Sequence, residues 1–329
     1  METTTFDDDG DLELLLQNDD NPTDPSSAKP TPTKKFVVSS KVLCLVSPVW
    51  KTMLSGKFLE GTSRQIPLPE DNARALEYML NLVHFNFDRL KAPTTSDLTH
   101  IAIVCDKYDM AGLCRFQANE WKDVFRREGK LYSFDAIFFA WTFGFRSWFE
   151  SVVKDSITGQ TIPRLREYEL ENFAPPGIAV TMREIATRAH DETFNAIFNT
   201  YKRFLGDQSC TIGSAECSAY NLGAFITILD RNSICIDMSL ARAVYGTPGP
   251  LRPLADVVGG MQISKLPLKP RGETPQRRYG EAEPDEHAQC RSLAGLKDEV
   301  KKIMSNIPTA LQEHHKVHLR SQAKKVGAE

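Results

Sequence analysis

Short apolar stretches separated by polar segments predict three β-strands near the start of the chain. Residues 11–16 alternate polar and apolar side chains and then turn fully apolar, which favours a strand. Residues 36–38 are a Val-rich run that ends at two serines, which is also typical of a strand. Residues 64–68 include Pro67 and are followed by Pro69, so they fit a short strand at the edge of a sheet.

Helical periodicity begins at residue 40 and is interrupted only by the third strand. Ser47 before Pro48 predicts that one short helix ends and another begins, because proline within one continuous helix would cost about 3 kcal/mol. Asp71 is predicted to cap the next helix, and Ser96 or Asp97 the one after it. The apolar positions of these two helices are Leu76, Met79, Leu80 and Val83, then Leu98, Ile101, Ala102 and Cys105.

Strand patterns nearly vanish from residue 131 onward. Residues 134–149 carry an aromatic stripe at helical spacing, which indicates a buried helical core more strongly than a base-stacking surface. Residues 194–205, 219–229 and 293–304 carry similar apolar stripes. Strands followed by helices predict an α+β fold that continues into an all-helical region.

The polar segments predict where the chain lacks a core. Residues 1–7 are expected to be a disordered acidic tail, and residues 18–34 a flexible Pro-rich loop. Residues 241–286 are rich in proline, glycine and charge and are expected to be loop or linker. Residues 287–329 are expected to hold a C-terminal helix and then a basic tail.

Composition narrows the class of protein. The chain has 329 residues, of which 41% are hydrophobic and 25% charged, which excludes wholesale disorder, collagen and a disulfide-stapled miniprotein. A net charge of −3 argues against a polycation that wraps nucleic acid. Seven cysteines, an odd and thinly spread set, suit a reducing compartment. With no pattern typical of a signal peptide or a membrane span, we expect an intracellular protein, cytoplasmic or nuclear.

Three segments in a fixed order carry a family resemblance. They are Lys35–Leu54 (KFVVSSKVLCLVSPVWKTML), Gln65–Asp71 (QIPLPED) and Ile101–Met110 (IAIVCDKYDM). They resemble the strand-and-helix opening, the edge strand with its helix cap, and the segment ending in Asp-Lys-Tyr, here Asp106-Lys107-Tyr108, of fungal BTB/POZ proteins. The resemblance implies a BTB/POZ domain over residues 8–125, a small sheet packed with helices, and a helical extension over residues 126–240.

The resemblance also implies a function in protein–protein interaction. BTB domains form homodimers, and many link a cullin scaffold to a substrate for ubiquitination. In those proteins a loop after the second helix carries a hydrophobic residue, any residue and then glutamate, which matches Phe58-Leu59-Glu60 here. The alternatives are that Phe58 packs beneath its loop and Glu60 is solvated, and that the protein has a transcriptional or structural role without ubiquitin.

No sequence motif points to catalysis. The chain lacks a dinucleotide-binding glycine pattern, a P-loop, a nucleophile elbow and a His-Glu-x-x-His helix. We therefore expect an adaptor or scaffold, not an enzyme, with no catalytic residue and no cofactor.

Two residue patterns leave other partners open. Cys210, Cys217, His287 and Cys290 supply zinc-type ligands, but their spacing is loose and four ordinary residues at helix ends explain the pattern better, so no metal is predicted. Residues 314–325 form a basic tail without the spacing of a DNA-binding motif, so we do not expect direct nucleic-acid binding.

Overall fold

The computed structural model describes residues 1–16, 33–56, 63–159, 175–206, 210–234, 250–264 and 287–328. The chain forms two compact units. Unit 1 comprises Met1–Val153, Glu171–Ile178 and Leu311–Glu329. Unit 2 comprises Lys154–Leu170 and Ala179–Ala310.

Unit 1 contains a small mixed sheet. Its strands are β1 (Glu2–Thr5), β2 (Leu12–Leu16), β3 (Lys34–Val38) and β4 (Gln65–Leu68), in the spatial order β1-β3-β2-β4. β2 runs antiparallel to β3 and parallel to β4, while β1 runs parallel to β3. The fold is therefore α+β, and the three strands predicted from the sequence are confirmed.

Alternation of side chains in β2 sets the register of this sheet. Leu12, Leu14 and Leu16 point to one face and are buried, and Leu14 lies between Phe36 of β3 and Ile66 of β4. A shift by one residue would turn all three leucines toward solvent.

The described residues contain twelve α-helices. They are α1 (Ser40–Val46), α2 (Pro48–Met53), α3 (Ala73–Val83), α4 (Thr95–Lys107), α5 (Ala118–Arg127), α6 (Phe134–Thr142), α7 (Arg146–Gly159), α8 (Ile178–Leu205), α9 (Ala215–Arg231), α10 (Leu251–Gly260), α11 (Ala294–Ser305) and α12 (Glu313–Val326). The predicted break at Ser47-Pro48 is confirmed: the Ser47 hydroxyl accepts a hydrogen bond from the backbone N–H of Trp50.

Two predicted helix caps are displaced. Asn72, not Asp71, caps α3, and its side chain accepts from the backbone N–H of Ala75. Thr94 caps α4 in a reciprocal capping box with Asp97, so Asp97 is the third helical residue and not the cap. The Asp71 carboxylate instead binds side chains of α4 and the residue after it, described below.

Three predictions of irregular structure are wrong. The acidic tail at residues 1–7 contains β1. The linker at residues 241–286 contains α10, whose Leu251 and Val258 are buried and whose Pro253 lies in the first turn, where proline is tolerated. The basic tail is helix α12, which buries an apolar stripe: Leu319, Ala323 and Val326.

Unit 2 has its own helical core. Buried apolar side chains of α8, α9, α10 and α11 meet in one cluster, including Phe204, Phe225, Val258 and Leu296. Cys210, Cys217 and Cys290 form a separate buried cluster in the same unit.

Candidate metal centre

Three short segments of unit 2 supply the cysteine and histidine side chains of one cluster. Cys210 begins a turn that is closed by a hydrogen bond from the Gly213 N–H to the Cys210 carbonyl (3.1 Å). Cys217 lies in the first turn of α9, where its N–H donates to the hydroxyl of the cap residue Ser214. His287 and Cys290 lie in a turn closed by the Cys290 N–H and the His287 carbonyl (3.1 Å).

The four side chains converge on one point. The ligand atoms of Cys210, Cys217, His287 and Cys290 all lie within 4.8 Å of one another. The Sγ atoms of Cys210 and Cys290 are 3.7 Å apart, and His287 Nδ1 lies 3.4 Å from Cys210 Sγ and 4.0 Å from Cys290 Sγ. The structure thus brings together all four candidates that the sequence offers, in a set able to hold one metal ion.

Polar groups around the cluster are directed at its sulfur atoms. The Thr211 N–H donates to Cys290 Sγ (3.4 Å), and the Thr211 hydroxyl lies 3.3 Å from the same atom. The fully buried Asn221 donates its side-chain N–H to Cys217 Sγ (3.3 Å). These donors stabilise negative charge on sulfur. The sequence analysis did not identify Thr211 and Asn221 as functional residues. The one signal in the sequence was that each lies within four positions of a candidate cysteine.

Burial and hydrogen bonding shift the thiols in different directions. Burial opposes ionisation of Cys210, but backbone hydrogen bonds from Ile212 and Ser214 outweigh it and lower the pKa of this thiol. Burial likewise opposes ionisation of Cys290, and hydrogen bonds from Thr211 outweigh it and lower its pKa. Burial, followed by the neighbouring Cys210, raises the pKa of Cys217 to about 12.

A second pair of cysteines, in unit 1, provides a contrast. Cys105 and Cys114 are fully buried with their Sγ atoms 3.7 Å apart, and Cys105 Sγ lies 3.9 Å from the sulfur of Met79. The hydrogen bond with Cys114 and burial raise the pKa of Cys105 well above its usual value. The six cysteines of the described segments are all free thiols. Close sulfur atoms alone therefore do not distinguish a metal site from an apolar core.

The other candidate site residues are the proposed cullin contact and the basic residues near the C-terminus. Phe58 and Glu60 lie outside the described residues, as does most of the loop predicted at residues 18–34. In α12, Lys316 and Arg320 pair with Glu313, and Lys325 pairs with Asp109.

In the described ranges, none of the helices combines the length and apolar character needed to cross a bilayer. Comparisons of the chain with protein-family models, curated proteins and solved structures find no match in any of the three. The candidate metal centre therefore rests on its own geometry.

Proposed function

We propose that this chain is a protein–protein interaction adaptor whose residues 8–125, within unit 1, form a BTB-type module. The observation that carries the proposal is that the three sequence segments of the family resemblance, which are separate along the chain, meet around one residue. That residue is Tyr108, whose side chain is 2% exposed.

Each of the three segments contributes to the contacts at Tyr108. From the first segment, the Ser47 hydroxyl donates to the Tyr108 carbonyl (2.5 Å), and the Trp50 ring stacks on the Tyr108 ring at 4.6 Å. From the second, Asp71 Oδ2 accepts from the Tyr108 hydroxyl (2.8 Å). Lys107, beside Tyr108, donates to both oxygens of Asp71 (3.0 Å each). Motifs that form one buried network support a shared fold better than motifs that merely follow one another.

The order of elements in unit 1 also supports the proposal. The antiparallel pair β2 and β3 is followed by the short helices α1 and α2, and β4 then returns parallel to β2. Helices α3 and α4 follow and pack against each other. The resemblance implies two strands joined by a loop, a helix pair, an edge strand and then three or four helices, and this order of elements agrees with it.

The proposed cullin contact is the segment that holds Phe58 and Glu60. The chain is exposed at Ser55 and Gly56 before this segment and at Ser63 and Arg64 after it. Exposed flanking residues suit a contact with a partner, and an aromatic anchor beside a charge is a typical hot spot.

Binding of the purified full-length chain to the N-terminal region of a cullin tests this function. We expect Phe58→Ala with Glu60→Lys to weaken the affinity at least about 30-fold, the effect of losing a hot spot of about 2 kcal/mol. Phe116→Ala with Glu120→Lys is the matched control, since both residues are exposed in unit 1. Equal affinities for the two double variants, or no binding by the wild type, would contradict the cullin role and favour an interaction protein without a ubiquitin function.

A further inference from the structure

We propose that Cys210, Cys217, His287 and Cys290 bind one structural zinc ion in unit 2. The proposal is independent of the adaptor function, because it rests on different residues in a different unit. It assigns a ligand to the buried cysteine cluster.

The distances fit tetrahedral zinc. With Zn–S bonds of about 2.3 Å and Zn–N bonds of about 2.0–2.1 Å, two sulfur ligands lie about 3.8 Å apart, and sulfur and nitrogen about 3.6 Å apart. The separation of the sulfurs of Cys210 and Cys290 is 3.7 Å, and that from Cys210 sulfur to His287 Nδ1 is 3.4 Å. Small adjustments of side-chain torsions bring the remaining separations, none above 4.8 Å, to the same values.

The ligand types select zinc over the common hard cations. Three sulfurs and one imidazole suit zinc, whereas magnesium and calcium require oxygen ligands. The three cysteines are 4%, 1% and 5% exposed, so four protein ligands would close the coordination shell. A closed shell leaves no position for water or substrate, which assigns the ion a structural role and not a catalytic one.

The surrounding donors distinguish this cluster from thiols packed as apolar side chains. A zinc ion with three thiolates and a neutral imidazole carries a net charge of −1, which is costly to bury unless hydrogen bonds compensate it. Thr211 and Asn221 direct N–H groups at two of the sulfurs. Neutral cysteines in an apolar core need no such donors.

The proposed ion joins segments that are distant in sequence. Cys210 follows α8, Cys217 lies in the first turn of α9, and His287 and Cys290 precede α11. Binding would fix the start of α11 beside the connection between α8 and α9. Zinc affinity then contributes directly to the folding of unit 2.

Metal analysis of the purified full-length chain tests the proposal. We expect about one zinc per chain in the wild type and in Cys114→Ala, the control from the other cysteine pair, and loss of that zinc in Cys290→Ala. Wild-type protein that is folded, was produced with zinc in the medium, and carries no zinc would overturn it. Equal zinc content in Cys290→Ala and Cys114→Ala would also overturn it.

Cobalt(II) keeps the test decisive if Cys290→Ala fails to fold. Chelator-stripped wild-type chain, titrated with Co²⁺, should develop thiolate-to-cobalt charge-transfer absorption and the visible bands of a tetrahedral site. His287→Cys should retain these bands with four sulfur ligands, whereas His287→Ala should bind at least about tenfold more weakly. Octahedral cobalt spectra, or no difference between the two His287 variants, would refute the assigned ligand set.

Discussion

Replacing Tyr108 by phenylalanine tests the network that joins the three segments of unit 1. The change removes only the hydroxyl that donates to Asp71 Oδ2 at 2.8 Å and leaves a ring to stack on Trp50. Burial, and then the Asp71 carboxylate, raise the pKa of Tyr108, so the hydroxyl remains a proton donor. The side chain of Asp71 is 3% exposed, so water cannot readily replace the lost donor.

The expected cost follows from the charge of the acceptor. A hydrogen bond to a charged group is worth about 1.5–3 kcal/mol. Lys107 still pairs with Asp71 in the variant, which keeps the carboxylate from being left without a counterion. We therefore expect a loss of about 2 kcal/mol in the free energy of unfolding, or about 4–8 °C in the Tm of unit 1.

Tryptophan fluorescence isolates the unit concerned. The four tryptophans of the chain are Trp50, Trp121, Trp141 and Trp148, and all lie in unit 1. The control is Tyr132→Phe, whose side chain is 51% exposed and whose substitution should change stability by less than about 0.5 kcal/mol. If Tyr108→Phe shifts the fluorescence-detected transition no more than this control, the network contributes no stability and the argument from it fails.

Two further predictions concern the packing of α12 in unit 1. Gly144 has a φ of +72°, and an added Cβ would clash with the backbone nitrogen of Ala323, whereas Gly129 has a φ of +67° and open space around it. Gly144→Ala should therefore lower the free energy of unfolding in urea by about 1–3 kcal/mol more than Gly129→Ala. Equal losses in the two variants would contradict the close approach of α12 to Gly144. Burial lowers the pKa of His315, whose Nδ1 accepts from the Gln312 N–H, so the unfolded chain takes up the proton first. The contribution of neutral His315 to the free energy of unfolding is complete above about pH 6.5 and is lost as the pH falls through the lower folded-state pKa. The urea concentration at the unfolding midpoint should thus decrease when the pH is lowered from about 7.5 to about 5.5, and it should decrease less in His315→Gln. A midpoint that rises on acidification would contradict the predicted direction.

Local signals predicted the strands β2, β3 and β4 and the helices that follow them in unit 1. Ser47-Pro48 fixes a helix boundary through capping and proline geometry, both of which depend on neighbouring residues only. Alternation at Leu12–Leu16 likewise depends on one strand and its two faces. Leu76, Met79 and Leu80 are all buried, as their helical spacing predicts.

Features that depend on distant residues could not be predicted. Asp71 has the sequence context of a helix cap, but Lys107 and Tyr108 bind its carboxylate from more than 30 residues away. Leu45 fits an apolar helical face but is 85% exposed. The sequence could not show this, because a helix as short as α1 offers too few positions to identify its buried side.

The metal centre shows the same division between local and distant information. The sequence supplied the right ligand types in two pairs, Cys210 with Cys217 and His287 with Cys290. It could not show that the pairs meet, because about 70 residues separate them and the meeting depends on how α8, α9 and α11 pack. In contrast, the apolar stripe of α12 and the apolar positions of α10 were present in the sequence, but basic charge and nearby glycines concealed them.

X-ray absorption at the zinc K-edge of the purified full-length chain tests the central claim, a closed site of three sulfurs and one nitrogen, most directly. The first-shell signal should fit three sulfurs at about 2.3 Å and one nitrogen at about 2.0–2.1 Å, the values for four-coordinate zinc. A shell dominated by oxygen or nitrogen, or one with two sulfurs or fewer, would contradict the assignment of Cys210, Cys217, His287 and Cys290 as the ligands.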